Sequence, residues 1–292
     1  MARQLIHNKP KRIFTFGCSF TDYLWATWAN ILGVEFPNAE FRNFGRSGAG
    51  NSYIFNMVQQ ADSMYNFTHE DLVIVQWTNV CREDRYLPQK DGWLIPGNIY
   101  SQSEYNEEFI KEYFSEMGSY IKDFALMNAT REHLKHKTQW HFLQMLDIID
   151  FTDQWDLTRR TQHHDSIKKL AFVYKETLES ILPSFYSVLF RNNIDNKFKS
   201  DKNIVNKNFQ DGHPHVLEHY NYLKNVFKHK WRDETDQAVA ESFKLWVKKM
   251  NDASYGVPNF SIYSVGSHRF HDSCKYELTM RRSDQIDPAL LT

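Results

Sequence analysis

The stretch Asp71-Leu72-Val73-Ile74-Val75-Gln76-Trp77 decides the fold. It is a nearly continuous apolar run, and strands that are apolar on both faces belong to parallel sheets covered on both sides. Working outward, residues 12–16 form a short β-prone run that ends at Gly17. Residues 40–44 are a second strand candidate and lead into Gly45-Arg46-Ser47-Gly48-Ala49-Gly50. Residues 22–32 space their apolar side chains for a helix that stops at Gly33, and residues 52–65 read as another helix. Strand and helix alternate through the first 80 residues, so this part is α/β.

Beyond Trp77 the pattern loosens. Residues 82–101 carry Pro, Gly and mixed charge and read as a long loop near the strand ends. A helical stretch over 104–136, a strand over 140–146, a helix over 167–182 and a last strand over 184–190 are expected next. A polar loop over 191–209 leads to helices over 214–227 and 234–250. The expected organisation is one core domain over 1–230 with a helical elaboration at about 82–200. Residues 231–292 are expected to form a helical extension packed on the same domain. Aromatic residues of the elaboration, Tyr105, Phe109, Tyr113 and Phe114 among them, are candidates for setting substrate choice or for merely covering the sheet.

Composition narrows the function classes. Of 292 residues, 41% are hydrophobic and 24% charged, as in ordinary globular proteins. The formal net charge of −1 supplies no global field toward nucleic acid or an anionic membrane, so neither partner is expected. Three scattered cysteines, Cys18, Cys81 and Cys274, lack the paired spacing of a disulfide framework or a zinc site, which points to a reducing compartment. The N-terminus has no apolar stretch of signal-peptide length, and no run approaches a membrane span. A cytoplasmic protein is expected, or a component carried by a phage particle.

Four short blocks carry chemistry. In Phe14-Thr15-Phe16-Gly17-Cys18-Ser19-Phe20-Thr21 a strand leads through Gly to Ser19 at a helix start. Ligands of open α/β sheets collect there, and backbone N–H groups and the helix dipole favour an oxyanion; a plain N-capping serine is the other reading. Asn43 through Asn51 spans a Gly-rich turn whose backbone can approach a ligand closely, but it has neither the P-loop Lys nor the dinucleotide spacing. Asn79 follows the third strand, where its amide either donates into the same site or binds its own backbone. Asp211-Gly212-His213-Pro214-His215 offers an orienting carboxylate and an imidazole base ahead of a helix.

In this order the four blocks resemble those of the SGNH (GDSL-like) hydrolases, named for a Ser, Gly, Asn and His. Gly17-Cys18-Ser19 resembles the Gly-Asp-Ser block, Gly48 the second-block glycine, Asn79 the asparagine of Gly-x-Asn-Asp, and Asp211 with His213-Pro214 the terminal Asp-x-x-His-Pro block. The resemblance covers residues 12–80 and 205–228, and Gln76 through Glu83 also resembles divergent SGNH-like proteins of marine bacteriophages. Three departures stand out. Cys18 replaces the usual Asp, Trp77 and Val80 replace the Gly and second Asp of the third block, and Asp211 and His213 are two residues apart rather than three.

The resemblance implies a flavodoxin-like three-layer α/β/α sandwich with a mostly parallel sheet and helical insertions. It implies a serine esterase or acyl-transfer enzyme acting on a small-molecule or carbohydrate ester, an O-acetylated sugar among the candidates, with no metal or cofactor. Ser19, His213 and Asp211 would be catalytic, and the N–H groups of Ser19 and Gly48 with the Asn79 amide would form the oxyanion hole. The alternative is an inactive binding module that uses the inherited pocket to recognise a carbohydrate or protein.

Overall fold

The computed structural model describes residues 4–6, 9–90, 92–100, 105–149, 164–192, 196 and 212–251. In chain order the first elements are β1 (Gln4–Leu5), β2 (Arg12–Phe16), α1 (Trp28–Glu35), β3 (Glu40–Asn43), α2 (Asn51–Tyr65) and β4 (Asp71–Trp77). They continue with β5 (Arg85–Leu87), β6 (Gly92–Leu94), α3 (Glu107–Tyr113), α4 (Glu116–Leu134) and β7 (Gln139–Gln144). The last are α5 (His164–Val173), α6 (Lys175–Glu179), α7 (Phe185–Phe190), α8 (Val216–Val226), β8 (Phe227–Lys228) and α9 (Asp233–Asn251).

All seven residues of β4 are buried, as its apolar run requires. It lies inside a four-stranded sheet of order β3-β2-β4-β7 in which every neighbouring pair is parallel. The register starts at an ion pair: Arg12 opposes Asp71, and its Nε and Nη2 donate to the two carboxylate oxygens at 2.8 and 2.6 Å. One helical layer is built from α2 and α4 with α5 and α6, the other from α1, α8 and α9, giving the three-layer α/β/α sandwich. By position in the chain the sheet order is 2-1-3-4, the flavodoxin-like order. Phe142 forms a parallel bridge with Ile181 at the place a fifth strand would take, and Leu182 N–H donates to the Phe142 carbonyl at 2.8 Å.

Several expected elements differ. Residues 184–190 are helical, not a strand: Ser184 accepts the Ser187 N–H at 2.9 Å as an N-cap, and Phe185 stacks on Tyr222 of α8 at 3.5 Å. The loop expected over 82–101 holds an antiparallel hairpin, β5 with β6, in which Tyr86 opposes Trp93. The helix expected over 104–136 is two helices, because Ser115 caps α4 by accepting the Gly118 N–H. The first helix starts at Trp28 rather than at 22, where Thr27 and Asn30 form a reciprocal cap. Residues 18–27 are thereby left to form the turn that carries Ser19. Helix α9 packs on α1 and α8, and no helix among the described residues is long and apolar enough to cross a membrane.

Candidate active site

Ser19 sits one turn past β2, where Thr21 and Asp22 return their N–H groups to the Cys18 carbonyl at 2.8 and 3.0 Å. This turn requires Gly17, since a Cβ there would meet Thr21 Oγ1 at 2.1 Å. Thr21 ties the turn to the neighbouring strands. Its hydroxyl donates to Gln76 Oε1 at 2.6 Å, and its carbonyl accepts from Asn43 Nδ2 at 3.0 Å. Ser19 is therefore fixed by β3 and β4 as well as by its own strand.

His213 arrives from the other end of the chain, and its Nε2 lies 2.8 Å from Ser19 Oγ. In the tautomer protonated at Nδ1, Nε2 accepts the serine hydroxyl proton. The imidazole stacks on Tyr23, with ring centroids 3.8 Å apart and planes 18° apart, and Phe20 flanks it at 5.4 Å. Carbonyls on both sides of His213 are held: Gly212 accepts from the Tyr186 hydroxyl, and Pro214 accepts from Trp25 Nε1 at 2.7 Å. Asp211, the proposed orienter, lies outside the described residues.

His215 has different work. It is the N-cap of α8: its Nδ1 accepts the Glu218 N–H at 3.3 Å while Glu218 Oε2 accepts the His215 N–H at 2.9 Å. Its ring is buried against Phe243 and Trp246 of α9.

The glycine loop after β3 reaches the same end of the sheet, with Arg46 N–H donating to the Gly17 carbonyl at 3.0 Å. Gly48 has φ +85°, and a Cβ on it would approach the Ile95 carbonyl to 2.8 Å, so both backbone conformation and space demand glycine. Asn79 leaves β4 with its Oδ1 accepting the Cys81 N–H at 2.6 Å. That contact is the turn expected of a strand-ending Asn, and it commits the oxygen while leaving the amide protons as donors.

Sequence reasoning treated Arg82, Glu83 and Arg85 as lining the mouth or as a solvated loop; the structure makes much of this segment a brace. Arg82 Nη1 donates to the Ala49 carbonyl at 2.8 Å, and Glu83 pairs with Lys122 at 3.0 Å. Asp84, absent from the sequence reading, accepts the Gly50 and Tyr53 N–H groups at 2.9 and 3.0 Å. The Tyr105 hydroxyl donates to the Glu83 carbonyl at 3.0 Å, and Phe109 stacks between Tyr105 and Tyr113. The expected aromatic elaboration thus adjoins the loop beyond Asn79.

Cys18 is fully buried, with its sulfur 3.9 Å from Met145 Sδ, the environment of an inert packed thiol. Burial pushes the Asp22 carboxyl, three residues past Ser19, up to about 7. Gln76 had a readable signal, a polar side chain at the end of an apolar strand. Asn51 and Asp84 had none, because their partners lie 27 to 34 residues away.

No protein-family model matches the chain, and no curated protein sequence does. Among solved structures it is similar to a member of the lipolytic G-D-S-L family from Veillonella parvula, at 15% identity and a TM-score of 0.41, over 74% of this chain and 97% of that one. It is similar to a Bacillus subtilis protein at 15% identity and TM-score 0.35, over 85% of this chain and 58% of that one. It is also similar to a GDSL-like protein from Parabacteroides merdae at 14% identity and TM-score 0.39, over 76% and 98% of the two chains.

Proposed function

We propose that the chain is a serine esterase or acyl-transfer enzyme of SGNH type. The observation that carries the reading is the 2.8 Å approach of His213 Nε2 to Ser19 Oγ at the carboxyl end of a parallel sheet. In the reaction, Ser19 Oγ attacks an ester carbonyl while its proton passes to His213 Nε2. The oxyanion is met by the N–H groups of Ser19 and Gly48 and by the Asn79 amide. His213 then gives its proton to the leaving alkoxide. Water or another hydroxyl, deprotonated in turn by His213, releases the acyl group and restores Ser19. Asp211 is the proposed orienter of the imidazole. The substrate class is a small-molecule or carbohydrate ester, bound beside the aromatic elaboration over residues 105–114.

Turnover of a short-chain p-nitrophenyl ester tests the reading. Wild-type protein should hydrolyse it, and Ser19→Ala should lose that hydrolysis while keeping its fold. A folded wild type without Ser19-dependent turnover would leave the binding-module alternative instead.

A further inference from the structure

The first turn of α2 carries a buried polar network that the chemistry of Ser19 and His213 does not use. Asn51 is 1% exposed, and both ends of its amide are engaged. Its Oδ1 accepts the Thr78 N–H at 2.9 Å, while Nδ2 donates to the Thr78 carbonyl at 3.1 Å and to Asp123 Oδ2 at 2.8 Å. A side-chain amide that pairs with both backbone groups of one residue adds a rung at the end of β4 and fixes that residue's position. The residue so fixed directly precedes Asn79.

The other side of the same turn is anchored too. Asp84 binds the N–H groups of Gly50 and Tyr53, and Gly50 lies two residues past Gly48. Both loops that carry proposed oxyanion donors therefore end on the first turn of α2. Asp123 Oδ1 has no hydrogen-bond partner among the described residues, so that carboxyl acts through Asn51.

We propose that Asn51 is a positioning residue for oxyanion stabilisation: it locks Thr78 to α2, so that Asn79 keeps its place relative to Gly48, and Asp123 holds the amide in that orientation. The inference rests on the esterase reading above. A shift of about 1 Å in a catalytic group can cost about a hundredfold in rate, so loss of this lock should be visible in kcat.

The experiment measures kcat and KM for a short-chain p-nitrophenyl ester, with thermal melts, in wild type, Asn51→Ala, Asp123→Ala and Ser19→Ala. Asn51→Ala should lower kcat about ten- to a hundredfold with KM within about twofold, a smaller loss than that of a whole oxyanion donor. Asp123→Ala should move kcat the same way by less, because both Asn51–Thr78 bonds remain. A lower melting temperature with wild-type kcat, or a raised KM with kcat kept, would mean that Asn51 only holds helix to strand and would overturn the proposal. Should Asn51→Ala fail to fold, Asp123→Ala decides: a folded variant with wild-type kcat overturns it. An inert wild type removes the esterase reading and this inference together, whereas active wild type with unaffected variants removes this inference alone.

Discussion

His213 and His215 flank one proline, and their surroundings divide the tasks between them. His213 faces Ser19 from a loop pinned by Tyr186 and Trp25, whereas His215 is spent on capping α8 and filling the contact with α9. His213→Ala should lower ester hydrolysis by about four or more orders of magnitude, as loss of a catalytic base does, with little change in melting temperature. His215→Ala should keep most activity and lose about 0.5–2 kcal/mol of stability through the lost cap, with a further loss from the vacated packing. Steady-state kinetics and thermal melts on the two variants read both effects. Activity lost in His215→Ala and kept in His213→Ala would reverse the assignment. The choice between these histidines was legible in the chain because a residue before proline is held off the helix. The stack of His213 on Tyr23 was not legible, since the two are brought together only by the packing of residues about 190 positions apart.

Elements show where local sequence loses to context. Residues 184–190 have strand-like composition, yet Ser184 caps a helix and Phe185 finds Tyr222 across the layer. Helix α2 began where expected, but the buried groups that hold its first turn were invisible from spacing alone. Those groups make a pH prediction. Burial pushes the Asp84 carboxyl up to about 6 and that of Asp123 up to about 7, desolvation outweighing the hydrogen bonds each accepts. Unfolded, both titrate near about 4, so over roughly pH 4–7 the folded chain binds more protons and its stability falls as pH rises. Asp123→Asn keeps an acceptor for Asn51 and removes one of these ionisations. Relative to wild type it should gain stability from pH 5 to pH 8, by about 4 kcal/mol at most for a shift of about three pKa units. Denaturant unfolding at the two pH values measures the gain. A difference between wild type and variant that stays flat across this range would mean that Asp123 titrates as an ordinary carboxyl.

At the scale of the whole molecule, a doubly covered parallel sheet gathers residues from both ends of the chain onto one edge. Ser19, Gly48 and Asn79 follow three consecutive strands of the sheet, and His213 returns to them nearly 200 residues later. Sequence alone carried this arrangement through the apolar β4 and the order of the four blocks. It did not carry the hairpin over 85–94 or the place of Ile181 beside Phe142, whose partners are set by the assembled sheet and its cover. The central claim is that Ser19 is the nucleophile, and covalent labelling tests it most directly. The folded wild-type chain is treated with a fluorophosphonate, and the modified peptide is mapped by mass spectrometry. The account predicts one adduct, on Ser19, absent from Ser19→Ala and formed far more slowly in His213→Ala. An adduct on Cys18 or on another serine, or a folded wild type that takes no label, would contradict it.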